Sequence, residues 1–289
     1  RKFNTIPEML PIKKIVKETD TIWTFVFDAR VDGWSLDSKP GQFVMMWIPG
    51  CDEKPFSIAY DDGKEFWLTI AKVGPATEKL FTFKVGQYVG IRGPYGTNYK
   101  FEKGDHLALL AGGYGAAPLY NVAVHAVKLG CRVEFIAGAR NKDLLMYEAR
   151  VKKLGEISDT KKGVKTGAKV AKVKYHACTN DGSKGFAGFN TVYLEELLKK
   201  DKTINKILTC GPEIMMKKGA ELAVKYKRES QVSIERYMKC GFGVCGQCVI
   251  DDTGLRVCKD GTIFDGKIAL KFKEFGVYHR DSVGRKKAW

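Results

Sequence analysis

The sequence lacks the side-chain sets on which hydrolases and histidine-based metal enzymes depend. Its four histidines are widely separated along the chain, and it offers no recognisable Ser/His/Asp or Cys/His set. We therefore expect neither nucleophilic hydrolysis nor a histidine metal cluster, and we interpret the histidines as core or surface residues. The chain also lacks a signal-like opening segment, internal repeats and low-complexity tracts, so the expected compartment is the cytoplasm.

Long, uniformly apolar stretches are missing as well. Residues 106–127 contain no Asp, Glu, Lys or Arg, but they include two histidines, Asn121, Pro118 and three glycines. A membrane-spanning helix is more uniformly apolar than this. We predict that the stretch forms a buried strand, a glycine turn and a helix, and that the protein has no membrane partner.

The chain has fewer acidic residues than basic ones. Lys and Arg number 49 against 33 Asp and Glu, which gives a formal net charge of +16. No basic helix or aromatic stacking motif accompanies this charge, so we expect no nucleic-acid partner. The excess predicts a solvated basic surface that can attract an acidic protein or anionic cofactors. Lysines concentrate in residues 161–174, which we interpret as an exposed loop or hairpin.

Four of the eight cysteines form a motif near the C-terminal end. Cys240, Cys245, Cys248 and Cys258 are separated by four, two and nine residues. This C-x4-C-x2-C run with a distant fourth cysteine is the plant-type [2Fe–2S] ligand pattern. Glycines between the cysteines let one loop bring three thiolates to a small cluster. A zinc site would usually show two short Cys-x2-Cys pairs, and disulfides would require an oxidising compartment, so both alternatives fit less well.

The pattern of the chain divides it into three parts. Residues 1–102 contain short runs of β-branched and aromatic residues between Gly and Pro turns, which predict a small antiparallel β-barrel. Residues 103–228 alternate strand and helix patterns, with helices at 143–154 and 192–200, and predict a doubly wound parallel sheet that binds a nucleotide. Residues 229–289 form the cysteine domain and a C-terminal tail. The fold class is therefore multi-domain, β followed by α/β.

Two glycine motifs lie where a nucleotide would bind a doubly wound sheet. Gly112, Gly113 and Gly115 stand between a predicted strand and helix, where backbone N–H groups can approach a pyrophosphate. Their spacing is not the full G-x-G-x-x-G pattern, so a plain structural turn remains open. Cys210-Gly211-Pro212 follows the last predicted parallel strand, so Cys210 is placed either to face a nicotinamide or to be a buried thiol.

Two loops of the barrel carry candidate cofactor contacts. Lys54-Pro55-Phe56-Ser57 combines a cation, a stiff turn, an aromatic ring and a hydroxyl group. Gly74-Pro75-Ala76-Thr77 offers backbone N–H groups and a hydroxyl group to a phosphate. Each string alone is an ordinary loop.

In this order, the three parts resemble the ferredoxin–NADP reductase superfamily, in which a flavin barrel precedes a nicotinamide-nucleotide domain. The family's Arg-x-aromatic-Ser motif binds FAD, with the Ser near flavin N5, and it matches Lys54-Pro55-Phe56-Ser57 except for the Lys. The second flavin segment corresponds to Ile70, Ala71, Lys72, Ala76 and Thr77. The nicotinamide motifs correspond to Gly112–Pro118 and Thr209–Pro212.

The cysteine motif, followed by Val257–Phe264, resembles more narrowly the electron-transfer subunits of heterotetrameric dihydroorotate dehydrogenases of pyrimidine biosynthesis. The resemblance implies an NAD-linked oxidoreductase subunit with FAD, a [2Fe–2S] cluster and NAD(H), in which Ser57 and Cys210 adjoin the reacting rings. It also implies an FMN-containing catalytic subunit as partner, in a hetero-oligomer. Thr262-Ile263 departs from the family's Pro-Val without touching a ligand. The choice of NAD over NADP comes from the family, since Arg140 and Lys142 are offset by Asp143.

A nicotinamide exchanges two electrons as a hydride and an iron–sulfur cluster takes one, so the flavin is the required intermediary. The same cofactors would serve a reductase subunit of a hydrogenase or a ferredoxin–NADP transhydrogenase. A zinc-binding interaction module and a regulatory flavoprotein that senses rather than transfers are further alternatives. The tail 272–289 is a candidate docking surface for the partner, or else a frayed basic terminus.

Overall fold

The computed structural model describes residues 5–31, 33–160 and 173–289. The interpretation of residues 161–174 as a loop or hairpin falls almost wholly outside the described residues. Val173 and Lys174 are the exceptions, and they lie on a strand.

The N-terminal part is a curled antiparallel sheet of seven strands in the order β1-β9-β6-β7-β8-β3-β2. The chain between β1 and β2 joins its two edges, because Ile12 N–H donates to Gln87 O beside β9 while Lys13 N–H donates to Val26 O on β3. A two-stranded ribbon, β4 and β5, lies beside this sheet. The elements are β1 (Glu8–Pro11), β2 (Lys14–Lys17), β3 (Ile22–Asp28), β4 (Arg30–Val31), β5 (Trp34–Ser35), β6 (Phe43–Trp47), β7 (Glu53–Asp61), β8 (Glu65–Ala71), α1 (Pro75–Leu80) and β9 (Tyr88–Tyr95).

The barrel core follows from the period of two in its strands. In β8, Phe66, Leu68 and Ile70 are buried while the residues between them are only partly buried. They pack with Phe25 and Phe27 of β3 in one apolar cluster. The antiparallel β architecture predicted for this part is confirmed.

The second part is a sheet in the order β13-β12-β11-β10-β14-β15-β16, parallel except for β16. The chain builds outward from β10 through β11 to β12 and then returns to the other side of β10 with β14, so the strand order reverses between β10 and β14. The elements are β10 (His106–Gly112), α2 (Ala116–Leu129), β11 (Arg132–Ala139), α3 (Glu148–Thr160), β12 (Val173–Thr179), β13 (Phe186–Ala187), α4 (Asn190–Lys200), β14 (Lys206–Cys210) and α5 (Glu213–Lys225).

The charge-free stretch 106–127 forms the predicted strand, glycine turn and helix. All seven residues of β10 are buried, because helices cover both faces of the sheet. Gly113–Gly115 form a short 3-10 turn before α2. Among the residues that the structure describes, no helix has the length and apolar character needed to cross a bilayer.

The C-terminal part begins inside the second sheet. Strand β15 pairs with β14, so the boundary that we propose after residue 228 separates α5 from a strand of the same sheet. Beyond β15, short elements surround the cysteine loop. The elements of the C-terminal part are β15 (Glu229–Ser233), α6 (Val257–Asp260), β16 (Ile263–Asp265), α7 (Gly266–Ala269), β17 (Tyr278–Arg280) and β18 (Lys286–Ala288).

Candidate functional site

A cleft opens where the three parts of the chain meet. The barrel supplies one wall, the carboxyl ends of β10 and β14 supply the second, and the segment after β15 closes the third. Such a position, outside the strand ends at a reversal of strand order, is where open α/β sheets bind ligands. The lining residues are Phe43, Pro55, Phe56, Ser57, Thr69, Ile70, Ala71, Val73, Thr77, Tyr114, Pro118, Cys210, Ser233, Ile234, Glu235, Arg236, Met238 and Thr262.

On the barrel wall, the first predicted flavin motif divides between two environments. Pro55, Phe56 and Ser57 line the cleft, and Ser57 lies opposite Phe43 in the ladder between β6 and β7. Lys54 does not line it. Its ammonium group contacts the Asp52 carboxylate, and it donates a hydrogen bond of 3.1 Å to the Tyr237 hydroxyl.

The second predicted flavin segment also reaches the cleft only in part. Ile70, Ala71 and Thr77 line it, whereas Lys72 and Ala76 do not. The Thr77 hydroxyl accepts hydrogen bonds from Val73 N–H at 2.9 Å and Gly74 N–H at 3.1 Å, and it donates to Gly74 O. This hydroxyl therefore shapes the turn that begins α1.

On the opposite wall the two nicotinamide motifs pack directly against each other. Ala111 at the end of β10 is the ladder partner of Cys210 at the end of β14. A Cβ atom on Gly115 would lie 2.2 Å from the Cys210 carbonyl oxygen. Only glycine fits there, because a side chain would push the turn off β14. Gly112, Gly113, Gly115, Gly211 and Pro212 do not line the cleft, but they position Tyr114, Pro118 and Cys210, which do.

Glu235, which sequence patterns did not single out, brings a carboxyl group to the cleft beside Tyr114. The Tyr114 hydroxyl donates to Glu235 at 3.5 Å. Glu235 is an exposed residue of the cleft lining, and desolvation of its carboxyl group by the surrounding cleft, together with the negative charge of Glu213, raises the pKa of that carboxyl. Burial and then the charge of Glu235 raise the pKa of the Cys210 thiol. Cys210 is therefore a neutral thiol at neutral pH, and it offers the cleft a small polarisable contact.

The four predicted cluster cysteines lie together, as two pairs. Cys240 interacts through its thiol with Cys245, and Cys248 with Cys258. Among the described residues, no three cysteine sulfur atoms lie within 4.8 Å of one another. A single tetrahedral zinc ion would draw all four sulfur atoms together. Two separate pairs fit a two-iron cluster, with one pair for each iron.

The loop favours the thiolate forms of Cys240 and Cys248, whereas the pKa of Cys258 is raised, chiefly by its hydrogen bond to Cys248. Burial raises the pKa of Cys240, but backbone N–H groups of Cys245, Phe242 and Val244 outweigh it and lower that pKa to about 6. Val244 N–H lies 3.3 Å from Cys240 Sγ. A hydrogen bond from Cys258 is the main cause that lowers the pKa of Cys248 to about 7. Donors of this kind also hold and tune a bound cluster.

Glycine also allows this loop to pack against the barrel. Gly241 has a φ of +82°, and a Cβ atom there would lie 2.6 Å from Met45 Cγ on β6. The backbone next to Cys240 therefore passes directly over a barrel strand. The cysteine arrangement fits a [2Fe–2S] cluster, and the adjoining cleft presents the residues expected to face a flavin ring.

Two of the histidines, although distant in sequence, share one hydrogen-bond partner, Glu134. His106 Nε2 lies 3.2 Å from one oxygen of Glu134, and His176 Nε2 lies 2.6 Å from the other. His176 Nδ1 is 2.7 Å from the Tyr193 hydroxyl. This buried network lies near the end of the sheet where β10 begins, away from the cleft. The parallel strands bring together histidines that are 70 positions apart in the sequence.

Sequence reasoning missed several residues that build the site. Tyr114 lies within a predicted motif, but Glu235, Arg236 and Met238 belong to no motif that we recognised. Their nearness to Cys240 was the available signal, since a segment that leads into a cluster loop runs close to the neighbouring cofactor.

The fold and site define a class of protein. A domain model described as "Oxidoreductase NAD-binding domain" matches residues 109–221, and one described as "Iron-sulfur cluster binding domain of dihydroorotate dehydrogenase B" matches residues 235–268. The structure of an NADH-dependent reduced ferredoxin–NADP oxidoreductase aligns with a TM-score of 0.74 and 27% identity, over 90% of this chain and 89% of that one. The cytochrome b5 reductase domain of Ulva prolifera nitrate reductase shares the fold, with a TM-score of 0.60, 16% identity and coverage of 76% and 93%. The chain is an NAD-linked flavin and iron–sulfur oxidoreductase of ferredoxin–NADP reductase-like fold.

Whole-length relatives narrow this class to one family. A protein of Methanocaldococcus jannaschii is 43% identical over 97% of this chain and 98% of its own length. One of Pyrococcus horikoshii is 41% identical, with coverage of 95% and 96%. Each is named a probable dihydroorotate dehydrogenase B (NAD(+)), electron transfer subunit. The chain belongs to the family of dihydroorotate dehydrogenase B electron transfer subunits.

Proposed function

We propose that this chain carries electrons between NAD(H) and the FMN of a dihydroorotate dehydrogenase catalytic subunit, by way of its own FAD and [2Fe–2S] cluster. The observation that supports this most directly is the shared cleft. Ser57 of the barrel, Cys210 of the nucleotide domain and the segment 233–238 that leads to Cys240 all border it. One flavin ring there would touch both a nicotinamide and the path to the cluster.

Each wall has a distinct task in this proposal. Ser57 offers a hydroxyl to the flavin ring edge, and Phe56 and Ile70 supply apolar walls that exclude water. Cys210 and Pro118 limit the depth at which the nicotinamide enters, and the Gly112–Gly115 turn carries its pyrophosphate. Cys240, Cys245, Cys248 and Cys258 hold the two irons. When bound, the flavin supplies the conversion from one two-electron step to two one-electron steps.

The partner follows from the family. Relatives are named electron transfer subunits, so a separate catalytic subunit is implied. We propose that this subunit carries FMN and that the assembly is a heterotetramer. Its docking surface includes the exposed Cys245 and Val244, and the hairpin β17–β18, which contacts the cysteine loop where Gln247 Nε2 donates to Asp281 O at 3.5 Å.

The test is to isolate the native complex, identify its second subunit and add dihydroorotate without air. Bleaching of both flavin and cluster absorbance, followed by reoxidation with NAD, is the expected result. If dihydroorotate leaves both cofactors oxidised while reduced ferredoxin reduces them, the chain serves a ferredoxin–NADP reaction instead. The whole-chain likeness to the NADH-dependent reduced ferredoxin–NADP oxidoreductase makes that the second candidate.

A further inference from the structure

Two cations of the barrel contact aromatic rings on either side of Cys240. Lys54 on β7 is the first. Its Nζ donates to the Tyr237 hydroxyl at 3.1 Å and lies 5.1 Å from the centre of that ring. Tyr237 precedes Cys240 by three residues. The Asp52 carboxylate contacts the same ammonium group and offsets its charge.

Arg92 on β9 is the second. Its guanidinium carbon lies 5.5 Å from the ring centre of Phe242, which follows Cys240 by two residues, and 5.8 Å from that of Tyr95. Arg92 forms a two-pronged ion pair with Glu53, in which Nε lies 2.5 Å from Oε1. Its side chain is only 7% exposed, so the interaction is largely shielded from water.

In both contacts, a carboxylate at the start of β7 pairs with the cation. Asp52 and Glu53 are adjacent at the start of β7, and each fixes one of the two cations. Between the two rings, the backbone at Gly241 lies against Met45 of β6 without room for a side chain. The segment 237–242 is thus held to the barrel at both ends and in the middle. Strand β7, which begins with Glu53 and Lys54, continues directly into Pro55, Phe56 and Ser57.

We propose that Lys54 with Tyr237 and Arg92 with Phe242 form a clamp that fixes the cluster loop to the flavin-binding strands and sets the geometry of electron transfer between the two cofactors. The clamp rests on the proposed function. It also assigns Lys54 a positioning role, because its ammonium group contacts Asp52 and Tyr237 and Lys54 does not line the cleft. NADH delivers two electrons as a hydride, and each passage along the clamped route oxidises the flavin by one electron and reduces one cluster by one.

The test compares Lys54→Met, Arg92→Met and their combination with the unaltered protein in stopped-flow reduction by NADH. Tyr237→Leu and Phe242→Leu remove the rings instead of the cations and leave both carboxylates paired. Lys17→Met is the matched control, because Lys17 lies over Trp23 at the same 5.1 Å but on the outer strand β2. Bound FAD, bound iron and the paramagnetic signal of the reduced cluster are measured for each variant.

We expect FAD and iron content and the rate of flavin reduction to be retained. Transfer from flavin to cluster should slow about tenfold or more in the combined variant, because small displacements of reacting groups carry large rate costs. The cluster signal should broaden as the loop loses its fixed position, and Lys17→Met should match the unaltered protein. Unchanged transfer in both the cation and the ring variants overturns the clamp.

Loss of FAD in Lys54→Met alone also overturns it, because Lys54 is then a flavin ligand. If the cation variants do not fold, the ring variants Tyr237→Leu and Phe242→Leu test the clamp by the same measurements. An unaltered protein that holds no flavin or cluster contradicts the proposed function itself, which separates the two failures.

Discussion

Arg236 donates a hydrogen bond of 2.5 Å from its Nε to Oε1 of Glu274, where both side chains are almost completely buried. A second guanidinium nitrogen contacts Glu213. The remaining oxygens of the two carboxylates accept the N–H groups of Asp251 at 2.9 Å and Gly276 at 2.8 Å. Glu213 begins α5 directly after the Cys210–Pro212 motif. The three side chains thus tie the nicotinamide wall to the cluster domain and its tail.

Replacement of Arg236 with Met should strongly destabilise the protein, because it leaves two carboxylates buried without their cation. Breaking a buried ion pair in this way typically costs about 3–5 kcal/mol. Urea unfolding of the cofactor-loaded protein measures the loss. Lys273→Met is the control, since the Lys273–Asp252 pair is exposed and should contribute about 1 kcal/mol or less. Similar losses in both variants would show that the buried triad has no special importance.

Cys245→Ser should remove the cluster signal while the flavin stays bound. Cys245 is exposed at the outer end of the loop, so its loss removes one iron ligand and little packing. Iron analysis and paramagnetic resonance of the reduced protein measure the cluster, and flavin absorbance measures FAD. Cys51→Ser is the matched control, because Cys51 is also exposed but lies outside the cysteine loop. An undiminished signal in Cys245→Ser would remove Cys245 from the ligand set.

Gly241→Ala should impair cluster assembly by crowding the barrel. The positive φ costs a side chain about 1–2 kcal/mol, and the new Cβ atom would also meet Met45. Gly254→Ala separates the two effects, because Gly254 has a φ of +72° with open space around it. Iron bound per chain and the thermal midpoint are measured for both. Equal iron loss in the two variants would argue that backbone strain, rather than contact with Met45, controls assembly.

Much of this architecture could be predicted from short-range patterns. The cysteine spacing specified one loop, and the alternation of apolar residues specified most strands. The predicted start of α3, at residue 143, lies five residues before the observed start at Glu148. Residues 142–144 instead form a 3-10 turn capped by Asn141, whose side chain accepts hydrogen bonds from Asp143 and Leu144 N–H. Tyr147, at a φ of +64°, then separates that turn from the helix. A helical pattern does not show such an interruption.

The rest of the site depends on contacts distant in sequence. Lys54 matches the cation of a FAD-binding motif, yet its ammonium group contacts Tyr237, 183 residues away. The Arg92 guanidinium group contacts the Phe242 ring across a comparable separation in sequence. His106 and His176 became neighbours only because β10, β11 and β12 are parallel and adjacent. Residue types and spacings carry no information on such pairings until the strand order is known.

The network around Glu134 should make the free energy of unfolding depend on pH in the acid range. Burial acts to raise the pKa of Glu134, but hydrogen bonds from His106 and His176 and the charge of Lys174 outweigh it and lower that pKa from 4.5 to about 2. A depressed native pKa stabilises the fold above the unfolded pKa, and this stabilisation is lost as the pH falls from about 4.5 toward about 2. The shift corresponds to about 3 kcal/mol.

The measurement is the free energy of urea unfolding of unaltered protein and Glu134→Gln across this acid range. The unaltered protein should lose about 3 kcal/mol more than the variant over the range. Glu221→Gln, at a half-exposed surface position, should follow the unaltered protein. Parallel pH curves for Glu134→Gln and the unaltered protein would contradict the assignment.

Gly115→Ala should weaken the reaction with NADH and spare the other cofactors. The new Cβ atom would lie 2.2 Å from the Cys210 carbonyl oxygen, so the turn must move away from β14 and the wall that is proposed to receive the nicotinamide must open. Stopped-flow reduction should show a slower hydride transfer, by about tenfold or more, with FAD and iron content unchanged. Gly113→Ala tests the turn without this contact, because Gly113 has a φ of +54° and nothing within 4 Å. If Gly113→Ala slows the reaction more than Gly115→Ala does, the turn conformation matters more than its packing against Cys210.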